Sequence, residues 1–172
     1  ASDGRDEKTV IDILPAEYKK RRGLFPAGRL DRDTVGFCFI TDDGAFAHRI
    51  LAPKSHVPKT YLARLDRQID TAAAKKSFES GMTLSGEKLL PALLTLKEEG
   101  DKPLFEVVLR EGKCHQIKLM FAKLGAEVEE LERIRIGGLE LDSSLLRGEC
   151  RYLTNYELSL IAGSDLCNIT GC

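Results

Sequence analysis

Residues 28–40 read Gly28-Arg29-Leu30-Asp31-Arg32-Asp33-Thr34-Val35-Gly36, running directly into Phe37-Cys38-Phe39-Ile40. The apolar run from Val35 to Ile40 reads as a strand buried on both faces, so the fold needs a sheet to receive it. Asp31 stands at the mouth of that strand with Arg29 and Arg32 on either side. Nearby positive charge favours the ionised form of a carboxylate. A carboxylate held this way is available as a nucleophile or general base. The same residues also make an ordinary polar turn, because Gly, Asp and Thr are favoured there by backbone preference alone. Taken alone, the stretch leaves both readings open.

Working outward, residues 1–8 are polar and charged, a flexible lead-in before a domain over 9–162. Val10 to Leu14 is a short apolar run ended by Pro15, with a basic helical turn or loop through Arg22. Downstream, Asp43-Gly44 marks a turn and Ala45 to Leu51 suits a short helix stopped by Pro53. Lys59 to Asp66 alternates as a strand, with Tyr61 and Ala63 sharing a side. Thr71 to Ser80 suits a helix capped by Thr71 and ended by Gly81. Leu93–Lys97 and Leu104–Arg110 read as an antiparallel pair joined through Glu98-Glu99-Gly100-Asp101. Cys114 to Leu124 is the clearest helix, with Ile117, Met120, Phe121 and Leu124 inward and Gly125 as its stop. His115 and Lys118, three apart, share a neighbouring face. Strands near 127–140 and a final helix from Thr154, with Glu157 at capping-box spacing, close the pattern. Mixed strands and helices with short antiparallel connections imply an α+β fold.

Composition sets broad limits. A chain of 172 residues with 42% hydrophobic and 31% charged residues builds a soluble globular domain. No apolar stretch is long enough to cross a membrane. Five cysteines without a Cys-x-x-Cys pair argue against a disulfide framework or a zinc knuckle. Free thiols in a reducing cytoplasm are the expectation, and residues 163–172, with Cys167 and Cys172, read as a C-terminal tail. His48, His56 and His115 are too scattered by spacing for a metal site. Net charge is −1, yet Lys19 to Arg64 carries ten cations against four acids. Such a segment attracts phosphates, or is a solvated face with scattered charges.

The motifs, taken together, resemble those of RNA pseudouridine synthases. Gly28-Arg29-Leu30-Asp31 with Asp33-Thr34 is similar to the family's catalytic motif. Thr41-Asp42-Asp43-Gly44 with His48, Leu51 and Pro53 resembles its continuation, and Lys59-Thr60-Tyr61-Leu62 the motif bearing its active-site tyrosine. Glu111-Gly112-Lys113-Cys114-His115-Gln116-Ile117-Lys118 resembles its third motif. Arg135-Ile136-Gly137-Gly138-Leu139 and 148–154 resemble its C-terminal signature. The matches run in order over about residues 9–160, and their details are most similar to the branch acting on small-subunit ribosomal RNA.

The resemblance implies a central, mostly antiparallel sheet flanked by helices, with an RNA cleft across it. It implies isomerisation of uridine to pseudouridine with neither cofactor nor metal, in the cytoplasm, by a monomer acting on small-subunit ribosomal RNA or the assembling subunit. Asp31 is then the central group, Tyr61 the partner of a uracil turned out of its stack, and Lys118 the ion-pair partner of Asp31. Arg29, Arg32, Lys59, Lys113, His115 and Gln116 become RNA contacts, while His48 is structural. By pattern alone Tyr61 is equally a core tyrosine, Lys118 a surface lysine and Gln116 a helix-start cap. Two departures stand out. Leu119 replaces a residue that is often basic, and the basic N-terminal domain and Lys-Pro-x-Gly strand of the family are not seen before residue 9. A catalytic portion alone is therefore expected. Large-subunit or transfer RNA as substrate, and a non-catalytic RNA-binding or ribosome-assembly module, are the alternatives.

Overall fold

The computed structural model describes residues 8–52, 55 and 57–162. A short 3-10 helix at Tyr18–Lys20 precedes strands β1 (Phe25–Pro26), β2 (Thr34–Gly36) and β3 (Ile40–Thr41). Helix α1 (Gly44–Leu51) leads to β4 (Lys59–Leu65) and α2 (Thr71–Ser80). A small hairpin, β5 (Thr83–Leu84) and β6 (Glu87–Lys88), is followed by β7 (Leu93–Glu98) and β8 (Leu104–Leu109). Helix α3 (Gln116–Lys123), β9 (Val128–Ile136), β10 (Leu139–Glu140) and α4 (Asn155–Ala162) complete the order.

Six strands make the central sheet in the order β10-β9-β4-β8-β7, with β2 also lying along β9. The β2–β9 pair is parallel and the others are antiparallel. This is the expected α+β architecture. Its apolar residues gather in two cores. In the larger, Ala74 and Phe78 of α2 and Ile117, Met120 and Phe121 of α3 cover Ala63, Leu65, Leu94, Phe105 and Val107 of the sheet. In the smaller, Phe46, Ala47 and Ile50 of α1 meet Ile161 of α4 around Phe37, Phe39, Ile136 and Leu139. No helix among the described residues is long and apolar enough to cross a membrane.

Three local expectations are corrected. The strand expected over Val35–Ile40 is split: only Thr34–Gly36 joins β9, and Ile40–Thr41 pairs with β1. Gly36 takes φ +96, where a side chain would meet the Arg133 carbonyl at 2.4 Å, and the chain peels away behind it. Phe37 and Phe39 stay buried by packing in the smaller core rather than by sheet pairing. Helix α2 is capped by Asp70, whose Oδ1 accepts the Ala73 N–H at 3.0 Å, and not by Thr71. A carboxylate both fills the orphan N–H and complements the helix dipole. Helix α3 starts two residues later than expected, because His115 adopts the left-handed region at φ 51. The capping box at α4 forms: Thr154 N–H donates to Glu157 Oε2 at 2.8 Å, and Glu157 N–H to Thr154 Oγ1 at 3.2 Å. Pro53 and the 163–172 tail lie outside the described residues, whereas Cys38, Cys114 and Cys150 are free thiols.

The β9–β10 turn is locked onto α4. Gly137 N–H donates to Pro58 C=O at 2.8 Å and Gly138 N–H to Leu160 C=O at 2.7 Å. At Gly137 (φ +59) a side chain would sit 2.4 Å from the Ile161 carbonyl. Gly125 also has positive φ, but faces open space. Gly125→Ala should therefore cost about 1 kcal/mol of backbone strain, and Gly137→Ala about 3 kcal/mol or more. Urea midpoints at constant m-value measure the difference.

Arg151 ties the last loop to α4 by bonding Asp142 (2.6 Å) and Glu157 (2.7 Å). Ser144's hydroxyl and N–H, then Arg151, hold the Asp142 carboxyl down at about 2. Arg151, then the Thr154 N–H, hold Glu157 at about 2. Both folded values lie below those of the unfolded chain, so the stability they confer is present above the ordinary carboxylate range. It is lost as pH falls towards about 2. Arg151→Met should make the loss of stability on acidification shallower, in urea titrations taken from about pH 5 downwards.

Candidate active site

Asp31 sits in the loop between β1 and β2. Thr34 N–H donates to the Asp31 carbonyl at 3.0 Å, closing a turn over Arg32 and Asp33. The Asp31 side chain keeps 28% of its surface exposed. It borders a cleft of about 860 Å³, which Arg29, Arg32, Lys59, Tyr61, Lys113, His115 and Arg133 also line. Seven of the nine residues singled out for the site therefore share one cavity. A cleft of this size is ample for a nucleotide-sized ligand.

Each wall has a local cause. Tyr61 lies in the middle of β4, opposite Val107 of β8 and Arg133 of β9. Its ring packs against the edge of the larger core while still lining the cleft. Lys59 begins the same strand, with Nζ 3.3 Å from the Val57 carbonyl. Burial, with the charge of Arg133 beside it, pushes the Lys59 ammonium below its ordinary pKa. From the opposite wall, His115 Nε2 comes within 3.6 Å of Asp31 Oδ1, a distance at which a protonated imidazole pairs with the carboxylate. Lys113 is paired with Glu87 of the small hairpin. Arg29 and Arg32 are exposed at the rim.

Two site residues stand elsewhere than expected. Lys118 Nζ donates to Asp33 Oδ1, not to Asp31. The turn at 31–34 carries Asp33 towards the first turn of α3, while His115, the N-cap three residues before Lys118, is the residue that reaches Asp31. The bond from Lys118 is the main reason the Asp33 carboxyl lies below its usual pKa. Gln116 is 3% exposed and does not line the cleft. Its Oε1 accepts the Lys113 N–H at 3.1 Å and its Nε2 donates to Glu111 at 2.8 Å, so it fastens the loop before α3 from inside. His48, read as structural, is exposed on α1.

The fold also joins residues whose spacing gave no hint of contact. One donor atom each from Asp31, Cys114 and His115 lies within 4.8 Å of the others. Most important is Arg133, which the sequence reading passed over. It is 1% exposed, and its Nε donates to Phe37 C=O at 2.7 Å and its Nη2 to Gly28 C=O at 2.8 Å. The available signal was the alternation of Leu131 and Arg133 with Glu130 and Glu132, which puts Arg133 on the buried face.

Residues 2–123 match the RNA pseudouridylate synthase family. An uncharacterized RNA pseudouridine synthase of Bacillus subtilis is 41% identical over 163 residues, 94% of this chain and 67% of that protein. Ribosomal small subunit pseudouridine synthase A of Vibrio vulnificus is 47% identical over 137 residues, 78% of this chain and 58% of the relative. The chain thus spans roughly three fifths to two thirds of the length of these relatives. A crystal structure of a pseudouridylate synthase superposes with a TM-score of 0.81 at 38% identity, covering 91% of this chain and 66% of that one. With the motifs in order, the fold matched and the cleft assembled around Asp31 and Tyr61, the chain belongs to the RNA pseudouridylate synthase family.

Proposed function

We propose that this chain isomerises a uridine of small-subunit ribosomal RNA to pseudouridine, acting as a monomer on the free RNA or the assembling subunit. The observation that carries this reading is the shared cleft. A carboxylate, Asp31, and an aromatic hydroxyl, Tyr61, face one cavity rimmed by cations. The reaction breaks the bond between uracil N1 and the ribose, turns the base, joins C5 to the ribose and releases the C5 proton, while the freed nitrogen takes one up. These steps call for a fixed carboxylate, a surface for the loose base and a positive field for the backbone.

In this reading Asp31 supplies the carboxylate. Tyr61 takes the flipped uracil against its ring and offers its hydroxyl for proton work. Arg29, Arg32, Lys59, Lys113 and His115 meet phosphates, which position the strand without reading its sequence. Lys118 acts from one step further out, through Asp33. The small-subunit substrate rests on the Vibrio relative's name and on the His115–Lys118 and Ile136–Gly138 motif details.

Tritium release from transcripts labelled at C5 of uracil tests the proposal, with small- and large-subunit RNA side by side. Release is expected from small-subunit RNA, and Asp31→Asn should lower it at least about a hundredfold. Tyr61→Phe should keep RNA affinity but slow turnover, whereas Tyr61→Leu should also lose about 1–3 kcal/mol of binding as stacking disappears. Release from large-subunit RNA alone would overturn the substrate and leave the chemistry standing.

A further inference from the structure

We propose that Arg133 is a positioning residue for Asp31, setting the place of the carboxylate relative to the uracil held at Tyr61. The inference rests on the functional reading above. The loop carrying Asp31 is gripped on both flanks by this one side chain: Nη2 holds the Gly28 carbonyl and Nε the Phe37 carbonyl. The Arg133 backbone adds a third tie, since its carbonyl accepts the Phe37 N–H at 2.6 Å. In the sheet, Arg133 lies directly opposite Tyr61. One residue, on the strand paired with that of the tyrosine, therefore ties down the chain before Asp31 at Gly28 and the chain just past β2 at Phe37.

The choice of residue type supports a functional role. β2 begins only at Thr34, so sheet pairing takes hold beyond Asp31 and leaves its approach through Gly28 to other ties. An apolar side chain would pack at Arg133's place without the cost of removing a guanidinium from water. Its two described hydrogen bonds go to backbone carbonyls and none to a carboxylate, so the positive charge is not cancelled inside the sheet. It lines the cleft, and its charge adds to the burial that lowers the Lys59 ammonium beside it. Arginine alone combines a fork wide enough for two carbonyls with a charge that never titrates. Lysine keeps the charge but loses the fork, and methionine loses both.

The test compares wild type, Arg133→Lys and Arg133→Met for kcat and KM on the small-subunit transcript, alongside urea midpoints and hydrogen exchange. A displacement of about 1 Å at the reacting group costs up to a hundredfold in rate. The expected result is a kcat at least about tenfold lower for Arg133→Lys and about a hundredfold lower for Arg133→Met, with KM within about threefold of wild type. Amides of residues 29–37 should exchange faster in Arg133→Lys, while those of α2 and β8 keep their protection. A folded Arg133→Lys with wild-type kcat overturns the inference. So does a kcat loss that vanishes once corrected for the folded fraction. If Arg133→Met does not fold, Arg133→Lys decides by the same criteria. A wild type inactive on every RNA is a different result: it sinks the functional reading, while the exchange data still report whether Arg133 holds the loop.

Discussion

The guanidinium of Arg133, buried between the carbonyls of Gly28 and Phe37, is the contact on which the site depends. A buried cation is tolerated only when its donors are used, because an unsatisfied charged group forfeits its hydration without return. Here the backbone on either side of Asp31 supplies the acceptors, so satisfying the arginine and placing the loop are the same event. The parallel pairing of β2 with β9 runs alongside it and requires a glycine at position 36, where the two backbones approach too closely for any Cβ. The smaller core then closes around Phe37 and Phe39 as they leave the sheet.

Charge is arranged by region rather than in bulk. The chain is close to neutral overall, yet the cleft is lined by Arg29, Arg32, Lys59, Lys113, His115 and Arg133. Two of the three acids of β9 are answered elsewhere: Glu129 pairs with Lys102, and Glu130 lies near Arg64. Such segregation gives a near-neutral protein a locally positive face, and the local field is what a polyanion meets at close range.

The sequence disclosed what local pattern controls. Helices α1 to α4, the β7–β8 hairpin and the capping box at Thr154 follow from periodicity, turn residues and caps, each a matter of a few neighbouring positions. The failures share a different cause. The strand over Val35–Ile40 reads as continuous because Phe37 and Phe39 are buried, but burial in a core and pairing in a sheet leave the same apolar signature. Lys118 was matched to the wrong aspartate because two carboxylates, Asp31 and Asp33, stand two positions apart and only the turn between them decides which meets the helix. Gln116 reads as an RNA contact or a helix-start cap; it fastens the start of α3 through Lys113 and Glu111, and the Glu111 partnership is visible only once the loop is folded. Arg133 was missed for the same reason: arginines are rarely buried, so an inward register was outweighed by residue type.

The ties made by Arg133 join residues 96 and 105 positions apart. The local sequence around Asp31 is complete after the first fifth of the chain, but the group that fixes its geometry lies in the last third. Contacts of such separation must close a long loop before they return any free energy, which places them late in folding. A chain emerging from the ribosome thus carries its aspartate long before it carries a site. The loop around Asp31 acquires its shape only when β9 docks beside β4, so the proposed site waits for the sheet to be assembled.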